Sequence, residues 1–228
     1  MFPMDHGVST PGTGGDPYFS SVVSLLHFDG TDASTTFTDV KGKTWTANGD
    51  AQIDTAQFKF GTSSGLFDGT GDDINTADHA DFNFGTGAFT LEAFARFTSF
   101  AANRMIFGPS LAATSFMQVS TGKVLQVYDG TTVFTSAAMT MSVDTWYHIA
   151  VSRESAGTTL FMYLDGVDQT SPTIDAGVTF NFTDVGGFTI GGNLTNRMFG
   201  WLDEARVTKG INRYPAPFTA PTAAFPDS

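Results

Sequence analysis

The sequence predicts an all-β domain: a two-sheet antiparallel jelly-roll sandwich with extended terminal arms. Three observations lead there. Short stretches of apolar residues at strand period recur along the chain, Asp-Gly pairs mark hairpins between them, and no stretch carries a convincing helical period. Composition agrees, since 228 residues with 23 Phe and 25 Gly supply aromatic bulk for one large core and many positions that accept positive φ.

Residues 1–20 carry Pro3, Pro11 and Pro17 with Gly7, Gly12, Gly14 and Gly15 and little apolar periodicity, which predicts an extended arm. Residues 22–28 (VVSLLHF) are apolar on both faces, as in a central strand. Residues 88–98 alternate, with Phe89, Leu91, Ala93, Ala95 and Phe97 on one face and Thr90, Glu92, Phe94 and Arg96 on the other. Hairpins are predicted over residues 123–135 around Asp129-Gly130 and over residues 160–170 around Asp165-Gly166. WYHIAVSR (146–153) precedes the second hairpin, and residues 188–190 and 199–208 close the body. From Tyr214 a proline-rich tail begins, whose Phe218 and Phe225 predict that it lies along the body. The expected organisation is therefore an arm over 1–20, one jelly-roll domain over 21–213 and a tail over 214–228.

Charge narrows the partners. Eleven Lys and Arg against 23 Asp and Glu leave a net charge of −12, which repels phosphates and anionic headgroups and disfavours nucleic acid and membrane surfaces. Among the acids only Glu92, Glu154 and Glu204 are glutamates; the Asp excess speaks for turns and for calcium. With no cysteine, disulfides and thiolate metal sites are excluded. The first residues have neither a basic n-region nor an apolar h-region, and no apolar run reaches the length of a membrane span, so the expectation is synthesis in a cytoplasm.

The segments LLHFDGTD, SGLFDGTGDDI, FTLEAFARF, DTWYHIAVSR, TTLFMYLDG and GWLDEARVTKGINRY follow one another over residues 22–214. In this order and spacing the sequence resembles the laminin-G-like, concanavalin A-like jelly-roll family of bacterial, extracellular and bacteriophage proteins. DPYFSSVVSLLHFDG and the proline-rich ending look like the forms carried by phage virion proteins, where the domain decorates a tail fibre or a capsid. The resemblance also implies a structural calcium between an Asp of the last strand and groups near the end of the first, positions that Asp203 and Asp29 match here. Alternation places Asp203 in phase with Trp201, Ala205 and Val207, a carboxylate on an apolar face that needs an ion or donors. Its alternative partners are backbone amides or an arginine such as Arg96 or Arg153.

The Asp-rich loop over 68–81, with Asp72 and Asp73, has oxygen density for a cation or a sugar but lacks EF-hand spacing. Aromatic sugar platforms are available in principle at Trp45, Tyr128, Trp146 and Trp201; Trp146 and Trp201 read as packing residues, and Trp45, after the turn KGK, as the exposed one. His27 and His148 lie in strands and read as hydrogen-bonded, and with His6 and His79 they make no zinc spacing. Catalysis is not expected: the glutamates are isolated, no paired acids sit on one strand face, and there is no nucleophile elbow. The sequence thus leads to a virion structural protein, assembled in the host cytoplasm, that attaches to other virion proteins and forms a homo-oligomer such as a trimer. The alternative is a carbohydrate-binding module for a host surface glycan, with Trp45, Asp72 and Asp73 in its site.

Overall fold

The computed structural model describes residues 15–111, 114–155, 159–170, 178–193 and 195–228; most of the predicted N-terminal arm lies outside them. In chain order the first strands are β1 (Val22–Leu26), β2 (Thr46–Asn48), β3 (Gln52–Asp54), β4 (Ser64–Asp68), β5 (Asp73–Thr76), β6 (Asn83–Gly85), β7 (Phe89–Phe97) and β8 (Arg104–Pro109). They continue as β9 (Phe116–Val119), β10 (Val124–Tyr128), β11 (Val133–Ala138), β12 (Trp146–Arg153), β13 (Leu160–Leu164), β14 (Val167–Asp168), β15 (Phe180–Asn181), β16 (Phe188–Ile190) and β17 (Phe199–Lys209). Among the described residues the only helical turns are single 3-10 turns at Phe19–Ser21 and Ala80–Phe82.

The strands form two large antiparallel sheets. One runs β14-β13-β12-β7-β17-β4-β3 with β1 against β17, the other β11-β10-β9-β8-β16-β5-β2, and β15 pairs β6 beside them. The jelly-roll sandwich predicted from the sequence is therefore the fold. Alternation in β7 works as expected: Phe89, Leu91, Ala93, Ala95 and Phe97 are fully buried between the sheets. Phenylalanines dominate this core, with Phe82 stacked on Phe188 at 4.0 Å and Phe84 on Phe89 at 4.6 Å, each pair adding about 0.5–1.5 kcal/mol beyond its area. The Asp165-Gly166 turn joins β13 and β14 with positive φ at both residues, the geometry a two-residue hairpin needs.

Two features depart from the sequence reading. β1 is not central; it pairs with β17 alone. And β17 carries a bulge: Asp203 pairs with Phe94 and Arg206 with Glu92, so β17 spends three steps where β7 spends two, with Glu204 at φ 51. That extra residue reverses the alternation. Ala205 and Val207 enter the core with Leu202, while Trp201 and Asp203 fall on the outward face, correcting the expected phase of Asp203.

That outward face of the eight-stranded sheet is largely covered by the chain's own ends. Tyr214 stacks on Phe218 at 3.7 Å, Tyr163 Oη donates to Tyr214 O, and Phe218 N donates to Gly166 O. Gly166 suits both turn and tail, because a Cβ there would lie 1.9 Å from Phe218 O. Phe225 is buried against Val22, Leu25 and Phe94, with the Arg206 guanidinium 3.7 Å over its ring. Its N–H donates to Glu204, whose carboxylate also meets His27 Nδ1 at 2.8 Å, and His27 Nε2 reaches Asp227 at 2.7 Å. Finally Asp16 N donates to Ser228 O, so residues 15–21 and the tail close over the sheet together.

Candidate functional site

Three of the residues singled out for ligand binding are structural. Trp45 is 6% exposed, packs edge-on against Phe188 and donates its Nε1–H to Asp39. The expectation that it is exposed is corrected: Thr46, the first residue of β2, is the exposed one, and Trp45 turns inward beneath the sheet. Asp72 is fully buried, accepting from Asp50 N and Asp68 N, and burial lifts its carboxyl above the usual range. Asp73 accepts from Asn48 and pairs with Arg197 at 2.5 Å. Both Asp side chains therefore tie loops together and leave no free oxygen pair facing solvent.

Under the tail lies a buried ionic network that the sequence reading did not foresee. Glu92, at 0% exposure, pairs with Arg206 at 2.8 Å and His148 at 3.1 Å and accepts from Tyr214 Oη at 2.7 Å. Asp16 pairs with Arg206 at 3.1 Å and Arg213 at 2.7 Å. Burial pushes Glu92 up, but the charges of Arg206 and Arg213 and the His148 hydrogen bond win, holding its carboxyl well below the ordinary range. Deep burial and the pairing of both carboxylates with arginines make this a strut for the covered face, in which His148 Nδ1 alone is buried without a partner among the described residues.

The outward face of the seven-stranded sheet is different, because half-buried rings run across it beside a pair of amides. Alternation in β9 and β10 sends Met117, Val119, Leu125 and Val127 into the core and Phe116, Gln118, Gln126 and Tyr128 outward. Phe116 and Tyr128 face each other across the strands with ring centroids 5.0 Å apart, both half-buried, beside half-exposed Val133. One row over, Gln118 Nε2 donates to Gln126 Oε1 at 2.8 Å. Gln118 is only 3% exposed, and its Oε1 has no partner, an unfilled acceptor that costs about 1–3 kcal/mol where it stands. Next to Phe116 comes Gly108, where a Cβ would press on Met105 Sδ at 2.9 Å and Phe116 Cβ at 3.2 Å; beyond it lie Thr189 and Asn75. The result is a flat, uncharged strip of two rings flanked by amides. Its signal was present in the sequence as the period-two pattern of residues 116–119 and 124–128, of which only Tyr128 was singled out.

Two shallow grooves, of about 410 and 400 Å³, sit elsewhere and share Asp78 and His79. Charged groups along them have partners within the chain: Lys43 pairs with Asp81, Lys41 Nζ donates to Phe19 O, and Asp78 accepts from Thr183.

Comparison with known proteins places the chain. The sequence pattern of the concanavalin A-like lectin/glucanases superfamily, in its laminin-G form, matches residues 68–210, more than half of the chain. The chain belongs to that superfamily. Among curated proteins none matches it. Solved structures similar in fold include the binding domain of Paraclostridial Mosquitocidal Protein 1, at TM-score 0.64 and 15% identity over 86% of this chain. This chain spans 51% of that one. Domain 4 of AbnA, an extracellular arabinanase of Geobacillus stearothermophilus in complex with arabinotriose, aligns at TM-score 0.62 and 17% identity, over 84% of this chain and 94% of that one. A botulinum neurotoxin type C structure, whose cell entry depends on two ganglioside molecules, aligns at 0.60 and 10% identity, over 86% of this chain and 50% of that one. At such identities these likenesses establish the fold.

For a concanavalin A-like domain the calcium expected at Asp29 and Asp203 can be tested against geometry. Asp203 Oδ2 accepts from Lys59 N at 2.8 Å and Phe60 N at 3.0 Å, not from Arg96 or Arg153. Asp29 Oδ1 accepts from Thr62 N and Oγ1. The two carboxylates hang one loop, residues 59–62, from opposite ends, and amide N–H groups point where a cation would need oxygen. Asp203 Oδ1 is buried and unpartnered, and burial lifts this carboxyl to about 7 against the opposing amides of Phe60 and Lys59. No group of three or more acids or histidines able to hold a metal converges among the described residues. The donor set does not fit a six-to-eight oxygen shell; Asp29 and Asp203 anchor a loop through its amides.

Proposed function

We propose that this chain is a non-catalytic carbohydrate-binding module that takes a neutral sugar chain on the outward face of the seven-stranded sheet. The observation that carries the reading is the half-exposed Phe116–Tyr128 pair flanked by the Gln118–Gln126 amides, one of which keeps an unfilled acceptor. Sugar rings present an apolar C–H face that stacks on aromatic rings and an equatorial rim of hydroxyls that amides pair with; Gln118 Oε1 is an acceptor for such a hydroxyl after a small rotation. Membership of the lectin/glucanases superfamily supports this, as do structural neighbours described as binding arabinotriose or gangliosides. A binding role without catalysis is supported by the acids of the opposite face, since Glu92, Asp203 and Glu204 are all buried and committed to structural partners.

Attachment within a virion was expected from the terminal arms. The described parts of those arms, residues 15–21 and 214–228, are docked on their own domain, which favours the glycan reading. The test is binding of the intact chain to a neutral glycan array and to arabinotriose in solution, with Tyr128→Ala and Gln126→Ala as variants. Each variant is expected to weaken binding by about tenfold, the size of one lost aromatic or hydrogen-bond contact, measured where the variant is fully folded, since Gln126→Ala also strands the buried Gln118 donor. Absence of any neutral ligand, or full affinity in Tyr128→Ala, overturns the assignment.

A further inference from the structure

The tail and the loop of residues 59–62 leave one row of the eight-stranded sheet partly exposed, with Trp146 at its end packed against the cluster of Val22, Leu25, Phe94 and Phe225. In register across β12, β7 and β17 stand Trp146, Arg96 and Trp201, all three half-buried on the outward face. The two indoles are two strand spacings apart, about 10 Å, which is the reach of a disaccharide. Between them the Arg96 guanidinium lies 4.7 Å over the Trp201 ring, so one of its flat faces is shielded from water while its in-plane N–H groups stay available. Trp201 is fixed in turn by Asp54, which accepts from its Nε1–H at 2.5 Å.

A second cation stands close by. Lys59 Nζ sits 5.3 Å over the ring of Phe94, which precedes Arg96 by one full pleat, about 7 Å, on the same face. Among the described residues no carboxylate pairs with Lys59. Arg96 has one carboxylate partner, Asp144, at 2.9 Å, whose side chain is 55% exposed against 15% for Arg96. An ion pair with one member so open to solvent is worth little and exchanges readily.

We propose that this row is a second binding site, separate from the Phe116–Tyr128 face, for sugars that carry a carboxylate, such as uronate or sialate units. The ligand's carboxylate takes the place of Asp144 on the Arg96 N–H groups, its ring lies along Trp146, and Lys59 supplies the second positive charge. Asp144 acts as an internal stand-in that keeps the guanidinium paired when no ligand is present. The net charge of −12 repels such a ligand at long range, so affinity comes from contact, with Arg96 as the residue that distinguishes acidic from neutral sugars.

The experiment is calorimetric titration of the intact chain with trigalacturonate and with sialyllactose, each beside its uncharged counterpart, galactotriose and lactose. At least one acidic ligand is expected to bind more tightly than its neutral counterpart and to weaken with added salt. Which acid binds identifies the source of the carboxylate. Arg96→Gln is expected to lose about tenfold or more in affinity for it, while Asp144→Asn, which removes the competitor, gains several-fold. Tyr128→Ala leaves this binding unchanged, so failure here and failure of the neutral-glycan face are separable. The proposal is overturned if neither acidic ligand binds, if the neutral counterpart binds a Tyr128→Ala chain as tightly as the acidic ligand does, or if Asp144→Asn weakens binding. Should Arg96→Gln not fold, the exposed Asp144→Asn variant decides alone.

Discussion

Replacing Glu92 by Gln removes the central anion of the covered face while leaving its shape. In the native chain Glu92 accepts from Arg206, His148 and Tyr214 with no exposure, and among the described residues Arg206 has one other anionic partner, Asp16. Breaking a buried pair from one side costs about 3–5 kcal/mol, because the remaining charge stays buried. Asp16 still compensates in part, so the lower end, about 3 kcal/mol, is expected. For a domain of this size each kcal/mol moves the midpoint by about 2–4 °C, giving a drop of roughly 6–12 °C in a thermal melt followed by circular dichroism. The sign with pH follows from the depressed carboxyl. Its contribution is complete above the unfolded value near 4.5 and is lost as pH falls toward the lower folded value, so the gap between wild type and Glu92→Gln narrows in acid. Replacing Glu92 and Arg206 together by Leu and Met is expected to be less damaging than the sum of the two single changes. A Glu92→Gln chain that melts with the wild type at neutral pH refutes the reading of this network as the strut under the tail.

Three further outcomes are expected. Trp45→Ala lowers stability by about 3–5 kcal/mol in urea titration, as for other large-to-small core changes, and leaves glycan affinity in the surviving folded fraction unchanged. His27→Gln weakens the hold on the tail. Hydrogen bonding to Glu204, opposed by burial, lifts His27 to about 9, so its contribution is complete below its unfolded value near 6.5 and disappears as pH rises through about 9; the variant's stability deficit should vanish above that pH. Exchange of excess calcium for EGTA is expected to leave the melting midpoint unchanged, because amides rather than an ion hold Asp29 and Asp203; a calcium-dependent rise in midpoint contradicts that geometry.

Local chemistry in the chain was enough for the strands. Phe89 to Phe97 alternate because successive side chains of a strand point to opposite faces, and Asp165-Gly166 turns because those residue types accept positive φ; both are properties of a few neighbouring residues. The all-β class, the two-sheet sandwich and the superfamily resemblance followed from such local signals repeated in order.

What the tertiary structure decided are the places where distant segments meet. One bulge at Glu204 moves Asp203 from the face it shares with Val207 in the sequence pattern to the opposite one, and a single inserted residue leaves no compositional trace. Trp45 is buried by Phe188, more than a hundred positions away, and Glu92 is held by Arg206 and by a tail whose proline-rich sequence has no strand pattern of its own. The open faces could be told from the covered ones only after the tail had docked, since burial depends on what packs against a strand as well as on the strand itself. Trp146 and Trp201, read as packing residues, do pack, against the Phe94–Phe225 cluster and against Arg96, yet each keeps part of its surface open, whereas Trp45, read as exposed, ended in the core. A residue's alternation names its side of the sheet; which side faces water is settled by the rest of the chain.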